Sequence, residues 1–125
     1  MNYCSTRDPS IHVTASQAIL NGISAEGGLF VPQSIPSIEL KDLNDLSYPE
    51  LAAKILGLFL TDYSQQFLLQ ATSECYGEKF KDGLAKTIKV ADGLYTLELW
   101  HGPTCAFKDY ALQLMPRLLV EAKRI

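Results

Sequence analysis

The sequence predicts an α/β protein: a small, mainly helical unit with short strands, followed by a hairpin and one more helix. Three observations predict it. Helix-start signals at Thr14, Ser47 and Ser64 each precede an apolar run of helical period. Short stretches at Tyr3 to Arg7 and Leu29 to Val31 have strand composition and lie near Gly or Pro. Leu94 to Trp100 alternates as a strand does, then breaks at Gly102-Pro103 into a long amphipathic run.

Taken in order, Tyr3 to Arg7 reads as a short edge strand. A helix follows Val13, with Thr14 as N-cap and Gln17 three positions on to close a capping box. Asn21-Gly22 ends it with a left-handed C-terminal signal. Gly27-Gly28 turns the chain into a brief buried strand, Leu29-Phe30-Val31, that Pro32 ends. Residues 32–46 read as a loop with one helical turn. Ser47 and Glu50 make a second capping box, and the helix to about Leu60 turns Leu51, Ile55, Leu58 and Phe59 toward a core. A further helix from about Ser64 carries Phe67, Leu68, Ala71 and Cys75 and stops at Gly77. Glu78 to Lys86 reads as a charged, solvated segment with an Asp82-Gly83 turn. Asp92-Gly93 then joins Ile88-Lys89-Val90 to Leu94 and its successors as a hairpin with a type I′ turn. Tyr95, Leu97 and Leu99 share one face of it, and Glu98 on the other is solvent-exposed or paired near the next helix. That helix is expected from about Thr104. Pro116 lies inside it, and because the apolar arc continues past the proline, a kink is expected instead of a stop. The run Glu121 to Ile125 has no capping glycine and reads as the middle of an element.

Composition narrows the class. At 125 residues, 47% hydrophobic and 20% charged, the chain has the make-up of an ordinary globular domain. Its net charge of −3 gives no electrostatic reason to expect nucleic acid or an anionic membrane. The longest apolar run is far shorter than the roughly 20 residues that span a bilayer, and Met1-Asn2-Tyr3-Cys4 is unlike a signal peptide. A cytoplasmic location is the default. Three cysteines, Cys4, Cys75 and Cys105, without C-x-x-C spacing argue against a disulfide framework and a zinc site.

The last helix holds the chemical feature of the chain. Advancing about 100° per residue, Phe107, Ala111, Leu112, Leu114, Met115, Leu118, Leu119 and Ala122 fall on one arc, and Lys108 falls among them. Asp109, Gln113, Arg117, Lys123 and Arg124 fall on the other side. A lysine in a first helical turn, aimed at an apolar layer, loses hydration and meets the positive end of the helix dipole. Both effects favour the neutral amine, which is the form that attacks a carbonyl to give a Schiff base. The alternative is a lysine whose stem lines the core edge while its charge reaches water.

The run His101-Gly102-Pro103-Thr104-Cys105-Ala106-Phe107-Lys108-Asp109 resembles the cofactor-lysine motif of the threonine synthase family, pyridoxal-phosphate enzymes of the tryptophan-synthase-β structural class, fold type II. Tyr3-Cys4-Ser5-Thr6-Arg7 resembles that family's N-terminal strand, and Gly27-Gly28-Leu29-Phe30-Val31-Pro32 its first Gly-Gly turn. Cys105 stands where the family often has an aliphatic residue, and Asp8 where Gly is common. The resemblance implies that Lys108 carries pyridoxal 5′-phosphate covalently and, once displaced by substrate, acts as a base. It implies that Phe107 packs on the cofactor ring, and that His101 and Thr104 border the cofactor, with Thr104 placed to donate a hydrogen bond. The implied reaction converts O-phospho-L-homoserine and water to L-threonine and phosphate.

A pyridoxal-phosphate site also needs backbone N–H groups in a Gly- or Ser-rich loop to hold the phosphate, and a partner for the ring nitrogen. No such loop occurs here. The expectation is therefore an N-terminal portion: residues 1–90 as the family's N-terminal domain and 91–125 as the start of a truncated catalytic domain. Such a fragment is expected to be inactive and cofactor-free alone, with the remainder of its own catalytic domain as its partner. Two other readings stand beside this one. A threonine-synthase-like phospho-lyase would release 2-oxobutyrate, and a non-catalytic binding or assembly domain would use the same residues structurally.

Overall fold

A computed structural model describes residues 1–80 and 83–125 of the chain. The elements run β1 (Tyr3–Ser5), β2 (His12–Val13), α1 (Ala15–Asn21), β3 (Phe30–Pro32), a 3-10 turn (Leu40–Leu43), α2 (Tyr48–Phe59), α3 (Gln65–Cys75), β4 (Lys86–Ala91), β5 (Leu94–Glu98) and α4 (Asp109–Ala122). The expected Asp82-Gly83 turn rests on Asp82, which lies outside the described residues.

Strand β1 is central, not an edge. It pairs antiparallel with β2 through Tyr3 and Val13, and with β3 through Cys4 and Val31. Two later segments, too short to signal themselves as partners, cover both of its sides. Strand β3 is one of the two edges and is half-exposed, not buried, with Val31 exposed. Pro32 suits that place, since an edge strand can lack one N–H. Behind the sheet a polar knot fixes the Gly-Gly turn: the hydroxyls of Ser5 and Ser24 both donate to the Glu26 carboxylate. A Cβ on Gly28 would lie 2.0 Å from Ser5 Oγ, so the close approach requires glycine.

The helix starts follow the caps. Thr14 Oγ1 accepts from the Gln17 N–H at 3.3 Å, and Gln17 Oε1 accepts from the Thr14 N–H at 3.0 Å. Gly22, with φ of +67°, closes α1. The Glu50 carboxylate accepts from the Ser47 N–H at 2.8 Å at the start of α2, and Ser64 Oγ accepts from the Phe67 N–H at 3.2 Å at the start of α3.

Helix α3 is the centre of the core, with Leu68, Ala71 and Cys75 buried as expected and Phe67 packed beside them. Helices α2 and α4 pack on it, and α1 packs on α4. The face of α2 differs from the one expected. Ala53 is buried, with Tyr48, Ala52 and Leu56 packed against the core, while Leu51, Ile55, Leu58 and Phe59 stay half-buried. The helix is apolar nearly all round, so periodicity alone does not choose its side. Close helix packing favours the alanine side, because small residues let the axes approach. The segment after α3 is anchored, not solvated throughout: Phe80 is buried and Leu84 packs on the core.

Two tyrosines fasten α4 to this core. Tyr63 donates its hydroxyl proton to the Leu118 carbonyl at 3.1 Å, and Tyr76 donates to the Tyr110 carbonyl at 2.6 Å. Burial pushes both phenols up to about 12. Helix α4 runs through Pro116 without a stop, and Leu114, Leu118 and Ala122, one turn apart, form its buried stripe.

The hairpin forms where expected, but its turn is not type I′. Positive φ occurs at Gly93, +72°, and not at Asp92, and the ladder is irregular between Lys89 and Ala91. A type I′ turn needs positive φ at both central residues. Val90, Leu94, Tyr95 and Leu97 are all exposed. No helix among the described residues is long and apolar enough to cross a membrane.

Candidate functional site

The loop between β5 and α4 gathers the residues singled out from the sequence. At the end of β5, Glu98 Oε2 lies 2.6 Å from His101 Nε2, and the two side chains are only 19% and 11% exposed. The His101 ring also lies 5.7 Å from that of Trp100. Glu98 is thus paired, the second of the two outcomes expected for it.

From Gly102 the chain makes tight turns before any helix forms. The Cys105 N–H donates to the Gly102 carbonyl at 3.1 Å, and the Asp109 N–H to the Ala106 carbonyl at 3.0 Å. Cys105 itself takes a φ of +56°. Helix α4 therefore begins at Asp109, not near Thr104, and Lys108 is its N-cap, with φ −63° and ψ −18°. Helix-period reasoning extended the helix backward because Phe107 and Lys108 fit its apolar arc. The left-handed residue and the Gly-Pro break keep these residues out of it.

Asp109 is corrected more sharply. Expected on the polar outer face, it is 1% exposed. Its Oδ2 accepts from the Thr104 N–H at 2.8 Å and its Oδ1 from the Thr104 hydroxyl at 2.7 Å. These bonds, the hydroxyl's first, hold its carboxyl below the usual carboxylate range. Gly102 makes room for it, since a Cβ there would lie 2.4 Å from Asp109 Oδ2. The hydroxyl proton of Thr104 is directed to Asp109, so toward a ligand Thr104 is left with acceptor capacity only.

Lys108 and Phe107 face the other way. The Lys108 carbonyl accepts from the N–H groups of Ala111 and Leu112 at 3.0 and 2.8 Å, which fixes its backbone as the first of the helix. Its side chain is exposed, as is that of Phe107. Lys108, Leu112 and Met115 stand at i, i+4 and i+7, and Leu112 and Met115 are exposed as well. The apolar layer expected around Lys108 is thus only half present: the residues one and two turns along supply it, and both remain partly open to solvent.

The arrangement offers a primary amine on a fixed backbone, beside an exposed aromatic ring and an apolar strip. That set suits a carbonyl cofactor with a planar ring. No group of His, Cys, Asp and Glu side chains among the described residues is arranged to hold a metal ion. Asp109 and Glu98 are the residues whose part sequence reasoning understated. The available signal was Thr-x4-Asp beside a Gly-Pro break, a spacing that closes a turn on a carboxylate.

The family model described as "Threonine synthase N terminus" matches residues 2–76. The chain belongs to the threonine synthase family. Threonine synthase of Pseudomonas aeruginosa is 36% identical over 130 residues, spanning 99% of this chain and 28% of that protein. Threonine synthase of Schizosaccharomyces pombe is 33% identical over 123 residues, spanning 94% of this chain and 24% of that protein. The crystal structure of PLP-bound threonine synthase from Brucella melitensis superposes with a TM-score of 0.91 at 32% identity, over 99% of this chain and 28% of that one. The chain thus spans about a quarter of the length of the threonine synthases it matches.

Proposed function

We propose that the protein carrying this chain is a threonine synthase that converts O-phospho-L-homoserine and water to L-threonine and phosphate with pyridoxal phosphate. In this reading Lys108 is the cofactor-bearing residue. The observation that carries it is Lys108 itself, a solvent-exposed lysine rooted on a backbone that the first hydrogen bonds of α4 fix. The family membership and the PLP-bound neighbour support it.

When bound, the cofactor draws electrons from the substrate's carbon skeleton and makes its C–H protons acidic. The chain's own part is to hold and move those protons. Lys108, freed as the substrate amine takes its place, serves as the base at the substrate carbons. Phe107 packs on the cofactor ring and keeps water from that face. His101, oriented by Glu98, and Thr104 shape the cofactor's edge. The phosphate and ring-nitrogen partners belong to the rest of a fold type II catalytic domain that starts near residue 91, so residues 1–125 alone are not competent. The same reading places the enzyme in the cytoplasm.

The test is borohydride reduction of the full-length protein, followed by peptide mass mapping and product analysis with O-phosphohomoserine. A phosphopyridoxyl group on Lys108 and threonine as product are expected. A protein that stays cofactor-free, with Lys108 unmodified after incubation with pyridoxal phosphate, overturns the enzyme reading in favour of a binding domain. A labelled Lys108 with 2-oxobutyrate as product keeps the cofactor and makes the protein a phospho-lyase.

A further inference from the structure

An exposed lysine has a long, mobile side chain, and chemistry on it requires that its root be fixed. We propose that Asp109, clasping Thr104 in the space that Gly102 leaves open, is the positioning residue that aims Lys108 at the cofactor. This rests on the reading of Lys108 given above.

Three features carry the proposal. Asp109 is the one charged residue that is buried among the described residues. A carboxylate that only favoured a helix N-terminus would do so at the surface, whereas a buried one is costly unless fully bonded. Here both oxygens are bonded, at 2.8 and 2.7 Å, to a single residue five positions back. The second feature is the void at Gly102, whose missing Cβ would fall 2.4 Å from Asp109 Oδ2 and 2.6 Å from Asp109 Cβ. The third is Cys105, whose φ of +56° is a conformation that a side-chain-bearing residue keeps only when its surroundings impose it. Together they close residues 102–109 into a ring with Lys108 one peptide bond from its buried anchor. Misplacing a reacting group by about 1 Å costs on the order of 100-fold in rate, so a clasp of this kind bears on turnover more than on substrate affinity.

The experiment uses the full-length holoenzyme with Thr104→Val, Thr104→Ser, Asp109→Ala and the Thr104→Val/Asp109→Ala double variant. Three readouts are taken: kcat and KM, hydrogen exchange of the 104–109 amides, and the rate at which cofactor-free enzyme captures pyridoxal phosphate on Lys108. Expected for Asp109→Ala is a kcat loss of about 100-fold with KM within about twofold, faster amide exchange and slower capture. Thr104→Val shows the same pattern at about tenfold, and Thr104→Ser recovers most of that loss. The double variant is no worse than Asp109→Ala, because the two residues act as one unit. Additive losses in the double variant, or wild-type exchange and capture in Thr104→Val, overturn the proposal. Should Asp109→Ala not fold, the Val and Ser variants at Thr104 decide by exchange and capture alone. A wild-type enzyme without cofactor on Lys108 would instead sink the functional reading itself.

Discussion

Tyr63 and Tyr76 are 5% and 8% exposed, and each spends its phenol proton on a carbonyl of α4. Both phenols are raised to about 12 by burial, above the ordinary value near 10. Below about pH 10 each is neutral in folded and unfolded chains alike, and the bonds to α4 are intact. Between about pH 10 and about pH 12 the unfolded chain gives up protons that the fold retains, so stability falls as pH rises, by roughly 1.4 kcal/mol per unit for each phenol. Denaturant unfolding at a series of alkaline pH values is expected to show that decline. Tyr63→Phe is expected to lose about 1 kcal/mol at neutral pH with its bond to Leu118, and to decline less steeply above about pH 10. An unchanged alkaline slope in the variant would show that Tyr63 is not one of the groups responsible. The same scale shows where the sequence is a poor guide. The Thr-x4-Asp spacing of residues 104–109 suits a turn closed on a carboxylate but does not by itself tell a buried aspartate from an exposed one. Burial of Asp109 depends on a left-handed Cys105 and on the missing Cβ of Gly102, features of three-dimensional closure with no periodicity of their own.

Elements whose limits are set by local hydrogen bonds were legible. The Thr14 and Gln17 box, the Ser64 cap and the Gly22 stop are each contained within a few residues, and each appears where the sequence puts it. Thr14→Ala is therefore expected to destabilise the fold by about 1 kcal/mol. A shifted midpoint with an unchanged denaturant slope is the sign to look for, and a midpoint within error of wild type would mean that α1 is held by packing alone. Features that depend on partners far along the chain were not legible. Strand β1 became central because two short segments return to it, and α2 turned its alanines inward because α3 lies against them. The hairpin was found through Asp92-Gly93, but its turn type depends on the bulge near Val90, which strand pairing decides. The loop's chemistry was legible as a motif, while its internal wiring was not.

Across the whole molecule, apolar surface is divided unevenly. The helical core is closed around α3, whereas the hairpin presents Val90, Leu94, Tyr95 and Leu97, and the start of α4 presents Phe107, Leu112 and Met115, all exposed. Exposed apolar clusters of this kind, one on the hairpin and one at the start of α4, are the sort of surface that marks an interface. The chain spans about a quarter of the length of the threonine synthases it matches, and on the function proposed above the occupant expected here is the rest of the catalytic domain. Lys108 shares a helix face with Leu112 and Met115, so covering that face also completes the apolar surroundings that the lysine has only in part. Side-chain footprinting with a photoreactive carbene is expected to label Tyr95, Leu97, Phe107 and Leu112 heavily in the isolated 125-residue chain and several-fold less in the full-length protein. The isolated chain is expected to bind a hydrophobic dye and to self-associate at high concentration. Equal labelling of these residues in both proteins would mean that the rest of the polypeptide packs elsewhere, leaving Lys108 on a face open to water and to partners of another kind.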